Sequence, residues 1–177
     1  MNKKQKSLFK LVLCAILCAV SVVLSRFFSF NVWNLSIGIS FLPVMLCALI
    51  CGSVWGGICG GLADLIGALL FPFGTYFPGF TAVAFFMGLI FGLVGRIFKF
   101  FEGKVIPIFV SFLLLLLAHA IGTLLLNSLW ISLLYGSPYI AVLATRIPLA
   151  AAMTVLQAVC SVLICKFIIP VVNKVIK

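Results

Sequence analysis

Apolar positions run along this chain in long blocks, interrupted by short breaks where Gly, Pro, Arg or Lys gather. Blocks at about residues 8–25, 37–51, 81–94, 105–126 and 146–168 are helix-like. A further block leads from the glycine-rich stretch CGSVWGGICGG at 51–61 through Asp64. A helix crossing a bilayer needs about 20 consecutive apolar residues, so six blocks predict six crossings. The expected fold is an all-α integral membrane protein, six transmembrane helices in one compact bundle, one domain over residues 1–177.

Within the blocks, small residues recur four apart. Ala15 and Ala19 lie on one face of the first span, with Cys14 and Cys18 beside them; Gly52, Gly56 and Gly60 form a ridge ahead of Asp64, and Gly57 with Gly61 a second. Gly88, Gly92 and Gly95 mark the fourth span. Such spacing lets helix backbones approach closely, and no Lys-Ser/Thr follows the glycines as a phosphate-binding loop requires. Pro43 predicts a kink in the second span.

The breaks are less ordinary. After Asp64 the chain enters a hairpin, expected over 71–79, that holds Pro72, Gly74, Pro78 and Gly79 among Phe71, Phe73, Tyr76, Phe77 and Phe80. A bare connection needs a few polar turn residues; a rigid aromatic cluster beside an intramembrane carboxylate marks a place where a ligand is held. A second such stretch, NSLWISLLYGSPYIAVLATR at 127–146, reads as a loop in which Asn127, Ser128, Trp130, Ser132, Tyr135 and Tyr139 alternate bulk with hydrogen-bonding tips. An interfacial aromatic belt accounts for one or two of these.

Composition then sets the solvent. With 66% hydrophobic and 8% charged residues in 177, and a mean hydropathy of +1.43, the chain expects lipid around it and leaves no length for a nucleotide-binding or hydrolytic module. The net charge of +10 is a matter of topology. Lys3, Lys4, Lys6, Lys10, Arg96, Lys99, Lys104, Lys166, Lys174 and Lys177 fall on one side of a six-span plan, which sets both termini in the cytoplasm. Arg26 and Arg146 fall near the other side and break the bias. Headgroup snorkelling is one reading of Arg26, an anionic ligand the other. The basic, apolar N-terminus reads as an uncleaved first helix rather than a signal peptide. Seven cysteines without a CxxC support neither a disulfide framework nor a zinc site and read as packing residues.

Three buried polar residues need weighing. Asp64 at mid-membrane costs on the order of 2.5–3.5 kcal/mol and requires a partner. It pairs with Arg146, bonds to helix backbone, contacts a ligand or relays protons; structural and ligand-orienting roles rank above a relay. His119, alone, is a hydrogen-bonded interior histidine before it is a metal ligand. Gln157 reads as an inter-helix hydrogen bond. No catalytic residues, metal or cofactor are expected, since the loops show no clustered acids, metal set or nucleophile with a base.

With the N-terminus inside, Arg26, the aromatic hairpin, Trp130, Tyr135 and Arg146 face out, with Asp64 beneath. Such a pocket suits a flat heteroaromatic bearing carboxylates. The six-span plan, the Ala15/Ala19 pair and ADLIGALLFPFGTYFPGFT at 63–81 resemble the substrate-binding S components of energy-coupling factor (ECF) vitamin transporters. FPFG-x-YFPGFT at 71–81, SLWISLLYG at 128–136 and Arg146 near Pro148 are similar to the folate-specific branch. The chain departs from that branch at residues 147–150, where Ile-Pro-Leu-Ala replaces the polar residues that often follow the arginine.

This resemblance implies a non-enzymatic, high-affinity folate-binding subunit of the cell membrane, delivering its vitamin with a transmembrane scaffold and two cytoplasmic ATPases. Ala15 and Ala19 then meet the scaffold. Arg26, Asp64, Phe73, Tyr76, Phe77, Pro78, Gly79, Phe80, Trp130, Tyr135 and Arg146 then form the substrate site. An S component for riboflavin or another pterin is the nearest alternative, and cationic thiamine would want carboxylates that the outer loops lack. An autonomous ion-coupled carrier ranks lower, with only Asp64 and His119 to carry protons.

Overall fold

A computed structural model describes residues 3–32, 35–72, 75–100 and 106–168. The helices are α1 (Lys3–Phe27), α2 (Phe41–Cys51), α3 (Ser53–Leu70), α4 (Pro78–Phe100), α5 (Ile106–Ala118), α6 (Asn127–Tyr135) and α7 (Tyr139–Leu163). A π-helical segment, His119–Leu126, joins α5 to α6 without a break, and another, Ile164–Ile168, extends α7. Five stretches are long and apolar enough to cross a membrane: Ser7–Phe27, Ser53–Leu70, Pro78–Phe100, Pro107–Tyr135 and Tyr139–Ile168. With the shorter Phe41–Cys51 they make six helical segments of a multi-pass membrane protein.

The short segment shapes the molecule. At 1.5 Å per residue, α2 is about 16 Å long, roughly half of a bilayer core. Its first residues were expected in a helix from Ile37. Instead, Ile37 lies in a small antiparallel hairpin, β1 (Ser29–Val32) with β2 (Leu35–Gly38), paired Ser29 to Gly38 and Phe30 to Ile37. Pro43 does not kink the helix. It is the third helical residue, where the backbone N–H has no partner within the helix and its loss is harmless. The hairpin touches α1 through β1 and α7 through β2, so it crosses from one side of the bundle to the other.

α3 and α4 share the most extensive interface in the protein, and glycine makes it possible. A β-carbon at Gly88 would run into the backbone of Gly56, one at Gly60 would lie 2.7 Å from the Ala84 carbonyl oxygen, and one at Gly92 would strike Ser53. Gly52, expected in the same ridge, instead forms the turn between α2 and α3 at φ 107°, a conformation that favours glycine. The apolar core lies between α1, α2, α3 and α4 around Met45, Cys47, Cys59, Phe91 and Val94. The outer faces expose Leu8, Ile16, Phe86, Phe109, Ile140 and their like, as lipid contact requires. Cys14 and Cys18 turn into the core, whereas Ala15 and Ala19, one step of about 100° round the helix, are exposed. The four do not share a face.

The stretch 127–146 is not a loop. Asn127–Tyr135 continues the fifth span, and the turn is confined to residues 136–138, where Gly136 takes φ 64°. Polar and aromatic side chains are compatible with this helix because several of them face the bundle interior, Ser128 being fully buried. Arg146 consequently does not open a span; it lies seven residues past Tyr139, about 10 Å into α7. Pro78, Gly79 and Phe80 likewise belong to the first turn of α4, where proline is favoured.

Candidate functional site

Because α2 is short, the space between α1, α3, α4 and α5–α7 is left open at the hairpin end. It forms a cavity of about 870 Å³, within the range usual for small-molecule sites. Residues Gly38 and Ser40 border it beside the β-hairpin, as do Pro72, Thr75 and Tyr76 of the α3–α4 connection.

One wall carries a carboxylate held in a chain of hydroxyls. Thr81 Oγ1 on α4 donates to Asp64 Oδ2 on α3 at 2.7 Å, and the Tyr76 hydroxyl lies 3.1 Å from Thr81 Oγ1. Thr81 has one proton and spends it on the carboxylate, so Tyr76 is the donor to Thr81. Tyr76 thereby presents its oxygen lone pairs to the cavity, and Asp64 keeps acceptor capacity beyond the Thr81 bond. The cation acting on Asp64 is Arg26 and not Arg146. Arg26, in the last turn of α1, lies across Gly67, where a β-carbon would come within 2.9 Å of its Nε and Nη2. Only glycine leaves that room.

The opposite wall is α5–α7. Arg146 is 9% exposed, and its Nε and Nη1 find no hydrogen-bond partner among the described residues. An unsatisfied buried guanidinium is costly, and a ligand oxygen is the natural remedy. Gln157, three turns further along α7, leaves its Oε1 unpaired among the described residues, and Asn127 does the same with its Oδ1. His119 is buried with Nδ1 3.1 Å from the Leu115 carbonyl oxygen, so Nδ1 donates and Nε2 is the acceptor left for the cavity. Tyr135 closes this wall against the α3–α4 connection, its hydroxyl accepting the Thr75 N–H at 3.3 Å.

Of the expected site residues, Arg26, Asp64, Tyr76, Phe80, Tyr135 and Arg146 line the cavity. Phe77, Pro78, Gly79 and Trp130 stand outside the lining. Phe77 packs on Trp130 with ring centroids 4.9 Å apart and edge-on to Phe80 at 6.4 Å. A β-carbon at Gly79 would lie 2.6 Å from Trp130 Nε1, so the indole backs directly onto the first turn of α4. Phe73 lies outside the described residues, as do Trp33, Asn34 and Gly74.

Sequence reasoning found Tyr135 and Arg146 but missed much of the remaining lining. Ser21, Ser25, Met87, Thr123, Asn127, Met153, Gln157 and His119 all border the cavity. The signal was present in the spacing: 119, 123 and 127, and 146, 150, 153 and 157, each recur at helical intervals on one face. Reading 127–146 as a loop breaks both rows, at Asn127 and at Arg146.

A bundle of membrane helices thus encloses a cavity of small-molecule size, in which two arginines and one carboxylate are set among largely apolar walls. The model of the substrate-specific component of ECF transporters matches residues 9–165, and the chain belongs to that family. It is a transporter component and not an enzyme. The chain is 28% identical over 145 residues to the folate transporter FolT of Clostridium novyi (strain NT), an alignment covering 82% of this chain and 81% of that one. A solved structure described as FolT bound with folic acid superposes with a TM-score of 0.75 and 31% identity, covering 93% of this chain and 94% of the other.

Proposed function

We propose that this chain is the folate-binding S component of an ECF importer in the cell membrane, a single domain with both termini in the cytoplasm. It takes folate into the cavity from outside and delivers it with a membrane scaffold and two ATPases. The observation that carries the reading is the buried Arg146 guanidinium, its Nε and Nη1 without a partner among the described residues, facing a cavity that also holds Asp64 and Arg26. Folate matches this arrangement in charge and shape. Its glutamate carboxylates suit the guanidinium groups, and its pterin carries ring N–H and amino donors that suit Asp64 and the Tyr76 oxygen. Phe80, with Phe77 edge-on against it and Trp130 behind Phe77, offers an aromatic face for the flat ring. Likeness to relatives named as folate transporters supports the same ligand. The exposed Ala15 and Ala19 on α1 form the scaffold-facing patch, where small side chains admit a partner helix.

The test is tryptophan quenching of the detergent-purified protein with folate, thiamine and riboflavin in parallel. Folate alone should saturate at low concentration, because neutral riboflavin leaves Arg146 unpaired and thiamine adds a cation beside it. Tight riboflavin or thiamine binding without folate binding overturns the assignment.

A further inference from the structure

Three cysteines far apart in sequence converge in the core, away from the cavity lining. Cys14 of α1, Cys47 of α2 and Cys59 of α3 have Sγ atoms all within 4.8 Å of one another. Cys14 is 5% exposed and the other two are fully buried. We propose that this cluster is a binding site for a soft divalent d10 cation of the cadmium and mercury class, stapling α1 to α2 and α3.

The spacing already suits coordination. Three sulfurs around one ion at the zinc–thiolate bond length of about 2.3 Å sit about 4 Å apart, and the larger cadmium and mercury ions spread them further, so small side-chain adjustments suffice. Cys14 and Cys47 both direct their Sγ at the Trp55 carbonyl oxygen, at 3.8 and 3.6 Å, which brings an oxygen donor to the same point. Thiolate sulfur selects soft ions over calcium and magnesium. Charge selects among the soft ions. Binding a divalent ion to three thiols releases three protons and leaves one negative charge in the core, whereas a monovalent ion leaves two, and buried charge is costly. The absence of any CxxC conceals the site in the sequence, because the fold and not local spacing assembles it.

The experiment titrates the detergent-purified full chain with Cd²⁺ and follows sulfur-to-metal charge-transfer absorption in the ultraviolet, with X-ray absorption reporting the donor shell. The expected result is saturation at one ion per chain, a shell of three sulfurs, and a raised thermal midpoint. Cys47→Ala and Cys59→Ala should each abolish saturable absorption, and Cys160→Ala should leave it unchanged. Circular dichroism and elution volume establish that the variants are folded, and the wild-type donor shell stands as evidence even where a variant is not. Absorption that survives in Cys47→Ala and Cys59→Ala, or a shell of nitrogen and oxygen, overturns the proposal.

Discussion

Where α3 meets α4, backbone lies on backbone, with Gly56 against Gly88 and Gly60 against Ala84. Where α5–α6 faces α7 across the cavity, the lining is His119, Thr123, Asn127, Arg146 and Gln157. The first interface is built from atoms too small to leave space. The second gathers polar groups that the described residues do not fully satisfy, on helices whose regularity is interrupted: a π segment at His119–Leu126 and Pro148 inside α7, which removes a backbone donor. Tight packing on one side and deliberate polar openness on the other divide the labour between holding the bundle together and holding a ligand. Each half is open to a specific perturbation.

The largest expected effect is on the open side. Arg146→Ala removes the buried guanidinium and should weaken folate binding by about 2–5 kcal/mol, roughly 30-fold to several thousand-fold in Kd, read by quenching or calorimetric titration. Arg146→Lys should recover only part of this, since an ammonium lacks the planar fork. Unchanged affinity in Arg146→Ala would remove that residue from the site. On the packed side, Gly88→Val drives a branched side chain into the Gly56 backbone. It should cost about 1–3 kcal/mol of stability, seen as a lower thermal midpoint in detergent. A midpoint equal to wild type would mean that α3 and α4 part without cost.

The contrast was half legible in the sequence. Residues four apart announced the glycine interface, because helical spacing and side-chain size are both written in the chain. Arg26, Asp64 and Tyr76 stood out as polar residues in apolar surroundings, and the fold brings all three to the cavity. On the opposite wall Tyr135 and Arg146 stood out, but His119, Thr123, Asn127 and Gln157 were not legible as site residues. A polar residue that faces a cavity inside a helix looks, in a hydropathy reading, like the end of the helix. Asn127 and Ser128 therefore read as loop and Arg146 as the start of a span, whereas in the structure Asn127 and Ser128 continue a helix and Arg146 lies well inside the next one. The short α2 was obscured for the converse reason: the β-hairpin before it is itself apolar at Leu35 and Ile37, so nothing marks where strand gives way to helix.

The smallest expected effect tests the seam between the two halves, where α4 leaves its glycine contacts and reaches the ligand. Thr81 holds Asp64 with one proton and receives Tyr76 with its oxygen, so a single hydroxyl orients both groups. Thr81→Val keeps the shape and deletes the hydroxyl. The carboxylate stays under the attraction of Arg26 but loses its fixed rotamer, and Tyr76 loses its acceptor. A hydrogen bond of this kind is worth about 0.5–1.5 kcal/mol, so folate affinity should fall about 2- to 10-fold. The thermal midpoint should change little, because the α3–α4 backbone contacts are untouched. Thr81→Ser, which restores the hydroxyl without the methyl, should return affinity to near wild type. Should Thr81→Val bind as tightly as the parent, the orientation of Asp64 would rest on Arg26 alone. Should it instead lower the midpoint with affinity unchanged, the hydroxyl chain would belong to the packed half of the molecule and not to the site.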